Sequence, residues 1–289
     1  MKYALHKSPI PESRIFVARE LKEKHFDPVW HAHSEYQLFI VLSGKGTRFI
    51  GNTVQSFQEG DLTFLGPGMP HLWRNDSVYF DKKSKLLTHG LVIYLRSEFI
   101  AGLIEKEEMQ PMREFFSKAK CGIEYCGDAI HQIGTKMKEV VAARAVESFI
   151  QLLQLLNVMS QHKSYRLLHN AGYKYRLKES ETRRINVVYN YAAQHFQDRI
   201  SLNEVAALLN MTPTSFSRYF KMKTSKSFSD FISELRIRHA CKLLIEEEDK
   251  NVSQISYDCG FKTLSNFNRQ FRLYMKMTPK SYRERFSTI

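Results

Sequence analysis

The chain has 289 residues, enough for two domains that each bury a core of their own. Its 43 lysines and arginines exceed its 30 acidic residues by 13, which favours a polyanionic partner, either nucleic acid or an acidic membrane surface. No apolar run approaches the length of a membrane span, the first 26 residues lack the apolar core of a signal peptide, and the four cysteines lack zinc spacing. We therefore expect a cytoplasmic protein without membrane contact, rather than a membrane protein or a disulfide-rich secreted domain.

The first 105 residues are predicted to form β structure. Short apolar runs at 36–42, 47–50, 54–57, 61–65, 71–73 and 86–95 are separated by glycine- and proline-containing turns. Short strands at this spacing are typical of a small sandwich or barrel.

Two segments of this region resemble the two motifs of the cupin barrel. His31 and His33, followed by 60–61, resemble the first motif, and 67–71 with Asn75 resembles the second. The resemblance implies a cupin-like barrel. It is partial, because Gly66 stands where the second motif usually begins with proline.

The same resemblance raises the question of a metal, because metal-binding cupins use two histidines and a glutamate from the first motif and a histidine from the second. Position 37 is Gln37, and a neutral amide leaves no anionic charge to offset a divalent cation. Glu35 is close in the sequence and has the same parity as Gln37, so it would point to the same side of the strand. A metal site that uses Glu35 instead of residue 37 is therefore a remaining alternative. We expect no metal, no cofactor and no catalytic residues, and a barrel that acts as a receptor.

A receptor pocket in the barrel is predicted to combine aromatic rings with a few polar groups. Such a lining suits a small-molecule effector such as a sugar or another polyhydroxy compound. The same residue types also fill ordinary barrel cores, and the sequence does not separate the two roles. The candidate effector-binding residues are Trp30, His31, His33, Gln37, His71, Trp73 and Tyr94.

Residues 106–165 are predicted to form a helical extension, with helices at 128–140 and 142–161. The second of these helices carries a broad apolar stripe that either the barrel or the same helix of a second subunit must cover. The polar, basic stretch 166–180 is predicted to be a linker.

Residues 201–282 contain one supersecondary unit twice. The copies at 201–220 and 251–271 align position by position, with one extra residue in the second. Ser201 with Glu204, and Asn251 with Gln254, have the spacing of a capping box at the start of a helix.

Each copy also has a signal for a turn and a second helix. Thr212 precedes Pro213 and Thr263 precedes Leu264, so both threonines are predicted N-caps. The turns carry Asn210 in the first copy and a glycine in the second, the residue types that best tolerate a left-handed backbone. Each copy is therefore predicted to be a helix-turn-helix.

The second helix of each copy is predicted to bury aromatic residues and to expose a polar, basic face. Short hydrogen-bonding residues at the helix start, with cations one or two turns later, suit a helix in the major groove. A solvated face of a helical bundle would give the same pattern in one helix, but the duplication favours DNA. The predicted DNA-binding residues are Thr214, Ser215, Arg218 and Lys221 in the first copy and Ser265, Asn266, Arg269 and Arg272 in the second.

This region resembles the C-terminal signature of the AraC family of bacterial transcription regulators. The resemblance covers about residues 182–286, and Ser225 and Lys276 depart from it where the family usually has glycine, which predicts strained or differently ended helices. The matching residues are Arg236, Ile237, Ala240, Leu243, Leu244, Ile255, Gly260, Phe261, Phe267, Arg269, Phe271, Thr278, Pro279, Tyr282 and Arg283.

The resemblance implies that the barrel is a sensor, that the helical extension pairs two chains into a homodimer, and that the protein activates transcription through contact with RNA polymerase. The helix predicted at 228–247 spans roughly 30 Å. That length is close to the roughly 34 Å of one duplex turn, so the two copies are predicted to enter successive major grooves of double-stranded DNA.

The predicted fold class is α+β with several domains: a cupin-like barrel with a helical extension, then an all-α domain with two helix-turn-helix motifs. The predicted boundaries are 1–105 for the barrel, 106–165 for the extension, 166–180 for the linker and 181–289 for the DNA-binding domain. Two other hypotheses stay open, a metal-dependent cupin enzyme with a DNA-binding tail and an architectural DNA binder without an effector.

Overall fold

The computed structural model describes residues 10–170 and 179–286, with the backbone alone for residues 179, 180, 182 and 183. The chain divides into two compact units, one ending at Glu179 and one beginning at Ser180. All strands of the described residues belong to the first unit, and the described part of the second unit is helical. The predicted α+β fold class is confirmed. Among the described residues no helix is both long enough and apolar enough to cross a membrane.

The first unit contains two antiparallel sheets. A six-stranded sheet has the order β1-β7-β2-β5-β8-β9, and a three-stranded sheet has the order β4-β3-β6. The strands are β1 (Phe16–Glu23), β2 (Tyr36–Ser43), β3 (Gly46–Ile50), β4 (Thr53–Phe57), β5 (Leu62–Leu65), β6 (His71–Asn75), β7 (Thr88–Leu95), β8 (Ile123–Tyr125) and β9 (Tyr165–Leu167).

The central strand β2 is buried on both faces because the large sheet lies between two cores. Phe39 and Val41 point into a core shared with the small sheet, whose members include Ile50 and Trp73. Residues of the opposite parity, such as Leu38, join a second core on the outer face of the large sheet. Alternation along the strand thus separates the barrel interior from its helical cover.

The helical cover consists of α1 (Ser97–Ile104), α2 (Gln110–Ala119), α3 (Asp128–Ala142) and α4 (Ala145–Gln161). Leu152, Leu155, Leu156 and Met159 of α4 are buried in the outer core. The barrel of the same chain therefore covers this part of the predicted stripe. On the same helix, 72% of Val146 and 43% of Ile150 remain exposed.

The start of the predicted linker belongs to the first unit. The prediction of a linker from residue 166 is wrong for 166–169, because β9 pairs with β8 and places Arg166 opposite Glu124. The backbone amides of Leu168 and His169 donate to the carbonyls of Gly122 and Cys121, at 2.9 Å each. Residues 171–178 of the predicted linker lie outside the described residues.

The second unit contains seven helices in its described part. They are α5 (Glu179–His195), α6 (Leu202–Leu208), α7 (Pro213–Thr224), α8 (Phe228–Glu246), α9 (Val252–Asp258), α10 (Leu264–Met275) and α11 (Pro279–Phe286). Helix α8 connects the two repeats and is apolar on two sides. Near its start, the rings of Phe228 and Phe231 lie 5.4 and 5.5 Å from that of Phe220 in the first repeat. Nearer its end, Ile237 and Leu244 are buried in the core of the second repeat.

Helices α7 and α10 both end in a residue with a left-handed backbone. Ser225 and Lys276 each have φ of 58°, and each backbone amide bonds to the carbonyl four residues earlier. These residues therefore adopt the conformation that glycine takes at such ends, at a steric cost of roughly 1–2 kcal/mol for a side chain with a Cβ.

Replacing Ser225 or Lys276 with glycine is expected to stabilise the second unit by about 1 kcal/mol each, because the left-handed residue then loses its steric cost. Chemical denaturation followed by the loss of helical circular dichroism measures the change. Gly260→Ala is the opposite control: Gly260 has φ of +81°, and a Cβ there would lie 2.3 Å from the Gln197 carbonyl oxygen. If Ser225→Gly and Lys276→Gly both lowered the free energy of unfolding, this would contradict backbone strain at the two positions.

Candidate DNA interface and barrel pocket

The two helix-turn-helix units are built by the same local hydrogen bonds. Complete capping boxes link Ser201 with Glu204 and Asn251 with Gln254. The turns contain Asn210 and a glycine, both with positive φ, as the sequence predicted. The predicted N-caps are also present, because Thr212 accepts a hydrogen bond from the amide of Ser215 and Thr263 from that of Asn266.

Helices α7 and α10, here called the recognition helices, bury their aromatic residues. Phe216 and Phe220 of α7 and Phe267 and Phe271 of α10 are 0% exposed. All eight predicted DNA-binding residues lie on the opposite, exposed faces: Thr214, Ser215, Arg218, Lys221, Ser265, Asn266, Arg269 and Arg272. Each recognition helix thus presents short hydrogen-bonding groups in its first turn and cations one and two turns later.

The two recognition helices differ in the side-chain hydrogen bonds on their exposed faces. The Arg269 guanidinium donates to the Asn266 side-chain oxygen at 3.1 Å, one turn earlier on α10. On α7 the corresponding Ser215 hydroxyl instead accepts from Thr212, at 3.0 Å. A guanidinium can donate two parallel hydrogen bonds to a guanine edge, and hydroxyl and amide groups can bond to other base edges or to phosphates.

The interior of the barrel contains a cavity of about 400 Å³. Five of the predicted effector residues line it: His31, Gln37, His71, Trp73 and Tyr94. Trp30 and His33 do not border the cavity. Trp30 is 0% exposed, and His33 lies behind Gln37, with its Nε2 atom 2.9 Å from the Gln37 side-chain oxygen.

Much of the cavity wall was not predicted from the sequence, because it comes from β1 and the chain after it. The available signal was that Leu21 and Glu23, two positions apart, lie on the same face of β1. The lining residues that were not predicted are Leu21, Glu23, His25, Phe26, Asp27, Pro28, Phe39 and Val92.

Three imidazoles, those of His31, His33 and His71, lie close together beside the cavity, and the Nδ1 atom of each is hydrogen-bonded to a backbone carbonyl. Nδ1 of His31, His33 and His71 lies 2.6, 3.1 and 2.7 Å from the carbonyl oxygens of Val29, Glu35 and Met69. Because a carbonyl oxygen only accepts, each Nδ1 carries a proton, and any of these rings that is neutral keeps its lone pair on Nε2. The Gln37 amide, which is 3.0 Å from His71 Nε2, can donate to such lone pairs when its nitrogen faces the rings.

This arrangement also fits a divalent metal. One ligand atom from each of His31, His33 and His71 lies within 4.8 Å of the others. Histidines that bind metal through one nitrogen usually donate the other ring N–H to a carbonyl or carboxylate, as these rings do. These three residues would hold the ion, which would supply Lewis-acid chemistry. The expectation that the barrel holds no metal stays a prediction.

Tyr94 adds a neutral hydrogen-bonding group to the wall. Burial raises the pKa of the Tyr94 phenol to about 12, with the negative charges of Asp27 and Glu35 adding to the increase and Arg19 opposing it. The hydroxyl therefore keeps its proton at neutral pH and can both donate and accept a hydrogen bond.

Comparison with protein families finds two matches, one in each unit. Residues 19–81 match the cupin domain, and residues 205–285 match a helix-turn-helix domain. The HTH-type transcriptional regulator YdeC of Bacillus subtilis is 22% identical over 269 residues, which cover 88% of this chain and 85% of YdeC. An HTH-type transcriptional regulator of Staphylococcus aureus is 24% identical over 78% of this chain, which spans only 29% of that protein.

Two solved structures were also compared. ToxT of Vibrio cholerae matches 95% of this chain and 100% of its own, with 13% identity and a TM-score of 0.36. The DNA-binding domain of AdpA, solved in complex with a target DNA, matches 35% of this chain and 90% of its own, with 24% identity and a TM-score of 0.33.

The family matches agree with the two structural units and with the duplicated helix-turn-helix signature. A barrel that matches the cupin domain precedes a helical unit that matches the helix-turn-helix domain, and the similarity to YdeC, which is named an HTH-type transcriptional regulator, spans most of the chain. The chain is therefore a DNA-binding transcription regulator that combines a cupin domain with an AraC-type helix-turn-helix domain.

Proposed function

We propose that the chain recognises a specific double-stranded DNA sequence through both recognition helices, which enter successive major grooves. The observation that carries this proposal is the matched pair of exposed faces on α7 and α10, with Arg218 and Arg269 at equivalent positions. The connecting helix α8 has 19 residues and is therefore roughly 28 Å long. That length is compatible with the roughly 34 Å between successive major grooves.

We further propose that a small molecule in the barrel cavity modulates DNA binding. Trp73 and Phe39 supply flat apolar walls, whereas Gln37, His71 and Tyr94 supply hydrogen-bonding groups. This combination suits a sugar or another polyhydroxy compound, whose hydroxyls both donate and accept. Coupling between an effector and DNA of this kind is typically worth about 1–3 kcal/mol.

The remaining proposals concern assembly and output. We propose that the exposed part of α4, with Val146 and Ile150, pairs two chains into a homodimer. The resemblance to the AraC family supports activation of transcription through contact with RNA polymerase in the cytoplasm. We assign the barrel and its helical cover to sensing and dimerisation, and residues 181–289 to DNA binding.

A thermal-shift screen of the full chain against sugars and polyols tests the effector proposal. A compound that binds only the folded barrel must raise its melting temperature. The same compound is expected to change the affinity of the full chain for its preferred DNA about 5- to 150-fold. Replacing Trp73 with leucine should remove both effects. A compound that stabilises the barrel and leaves DNA affinity unchanged would contradict modulation.

The cluster of His31, His33 and His71 favours a second candidate, a metal-dependent cupin enzyme with a DNA-binding tail. Elemental analysis of the purified full chain separates the two: an enzyme of this kind requires about one metal ion per chain. An architectural DNA binder, the remaining alternative, would show equal affinity for all duplexes at one salt concentration.

A further inference from the structure

The loop between α5 and α6, residues 196–200, is held by an arginine of the connecting helix. Arg236 of α8 donates from Nε to the Phe196 carbonyl at 2.6 Å and from Nη2 to the Asp198 carbonyl at 2.8 Å. The ring of His239, one turn later on α8, packs edge-on against the ring of Phe196 at 5.2 Å. The loop leads directly into α6, so these bonds fix the start of the first helix-turn-helix relative to α8.

The same loop also reaches the turn of the second helix-turn-helix. The Gln197 side-chain amide donates to the Asp258 carbonyl at 2.9 Å, at the end of α9. The Gln197 carbonyl oxygen lies so close to Gly260 that a Cβ there would be 2.3 Å away. The Arg236 guanidinium lies 5.8 Å from the ring centre of Phe261, the residue after Gly260. One loop therefore connects the first repeat to the turn of the second.

The second repeat contains an arginine clamp of the same kind, but its contacts stay within that repeat and its border with α8. Arg283 of α11 donates to the Leu244 carbonyl in the last turn of α8, at 3.0 Å, and to the Lys250 carbonyl in the segment that leads into α9, at 2.7 Å. Each repeat therefore uses an arginine from the helix after its recognition helix to hold the segment before its first helix. Among these contacts, those of Gln197 cross from one repeat to the other.

We infer that Gln197 and Arg236 are positioning residues that hold the two helix-turn-helix units at one fixed separation, so that the chain discriminates between DNA sites by the spacing of their halves. This inference rests on the proposed recognition of two successive grooves. With α8 as the single connection, the two helix-turn-helix units could rotate relative to each other at little energetic cost. The contacts of the 196–200 loop form a second connection, which opposes that rotation. Neither residue needs to touch DNA for this effect.

The test compares DNA spacing in the full chain. A preferred duplex is selected from a random library with the unaltered chain, and variants of it carry one or two extra base pairs between the two halves. One inserted pair is expected to weaken binding of the unaltered chain by about tenfold or more, because one recognition helix then meets the wrong base edges. In Gln197→Ala this penalty is expected to fall to about threefold, while affinity for one isolated half stays unchanged.

Gln194→Ala is the matched control, because Gln194 is exposed on α5 just before the loop. It should keep the full spacing penalty. Arg236→Lys should behave like Gln197→Ala, and thermal melting of each variant confirms that it is folded. Gln197→Ala with a native melting temperature and the full penalty would overturn the inference. If the unaltered chain selects no preferred sequence, the proposed function fails instead.

Discussion

Replacing Arg218 or Arg269 with alanine is expected to weaken binding to the preferred DNA sequence by about 1–3 kcal/mol each, or roughly 5- to 150-fold. Both side chains are exposed on the recognition helices, at equivalent positions of the two repeats. In the major groove a guanidinium can bond to two acceptors of one guanine, and alanine loses both bonds. Fluorescence anisotropy with the preferred duplex and a scrambled duplex, at one salt concentration, measures the change.

The comparison between duplexes decides the role of each arginine. If Arg218 or Arg269 contacts a base, alanine weakens binding to the preferred duplex far more than to the scrambled one. Equal losses on both duplexes would mean that the arginine contacts phosphate. Lys280→Ala is a suitable control, because Lys280 is a highly exposed cation of α11 and belongs to neither recognition helix. Its loss should have little effect on sequence preference.

The Arg48→Met variant is expected to destabilise the first unit by about 3–5 kcal/mol. Arg48 is 1% exposed, and its guanidinium lies 2.6 Å from Asp61 and 2.7 Å from Glu124. Methionine keeps most of the volume but leaves the Asp61 carboxylate buried without its cation. The Asp61 side chain is only 6% exposed, and this burial raises the pKa of its carboxyl group, whereas the positive charge of Arg48 opposes the increase.

Urea denaturation followed by tryptophan fluorescence measures this effect, because both tryptophans of the chain, Trp30 and Trp73, lie in the first unit. Arg166→Met is the control. Arg166 also bonds to Glu124, but 63% of its side chain is exposed, so its loss should cost about 1 kcal/mol or less. Adding Asp61→Asn to Arg48→Met should recover part of the lost stability. An Arg48→Met variant as stable as the unaltered chain would contradict this account.

The second unit could be predicted almost completely, because local signals determine its helices. Capping boxes, N-cap threonines and the residues of the turns occur at the same spacing in both repeats, and each signal acts within four residues. The exposed positions of Arg218 and Arg269 followed from helical periodicity alone. The left-handed ends at Ser225 and Lys276 were harder to predict, because these residue types do not normally favour that conformation.

The first unit was predicted less well, because several of its strands form only through long-range pairing. Strand β1 carries charged residues as an edge strand, and β8 and β9 have three residues each. Strand β9 pairs with β8 across about forty residues of chain, which local periodicity does not reveal. The buried network of Arg48, Asp61 and Glu124 was missed for the same reason, because its members come from three separate strands or turns.

The barrel site was predicted from the sequence only in part. His31, His33 and Gln37 share one parity, so all three could face inward, and the structure brings them together with His71. The sequence did not reveal the hydrogen bonds from each Nδ1 to a backbone carbonyl, because they depend on the three-dimensional path of the chain. These bonds determine where the lone pairs point. Residue types alone did not distinguish the cavity wall from the core. Trp30 was predicted to line the cavity, but it is buried in the core.

Selection of binding sites from a random duplex library by the full chain tests sequence-specific recognition by two matched helices most directly. The selected sequences are expected to contain two blocks of enriched bases whose centres lie about 10 base pairs apart, one for each recognition helix. A library that remains random after repeated selection, or a single enriched block that survives alanine substitution of either arginine, would contradict the account.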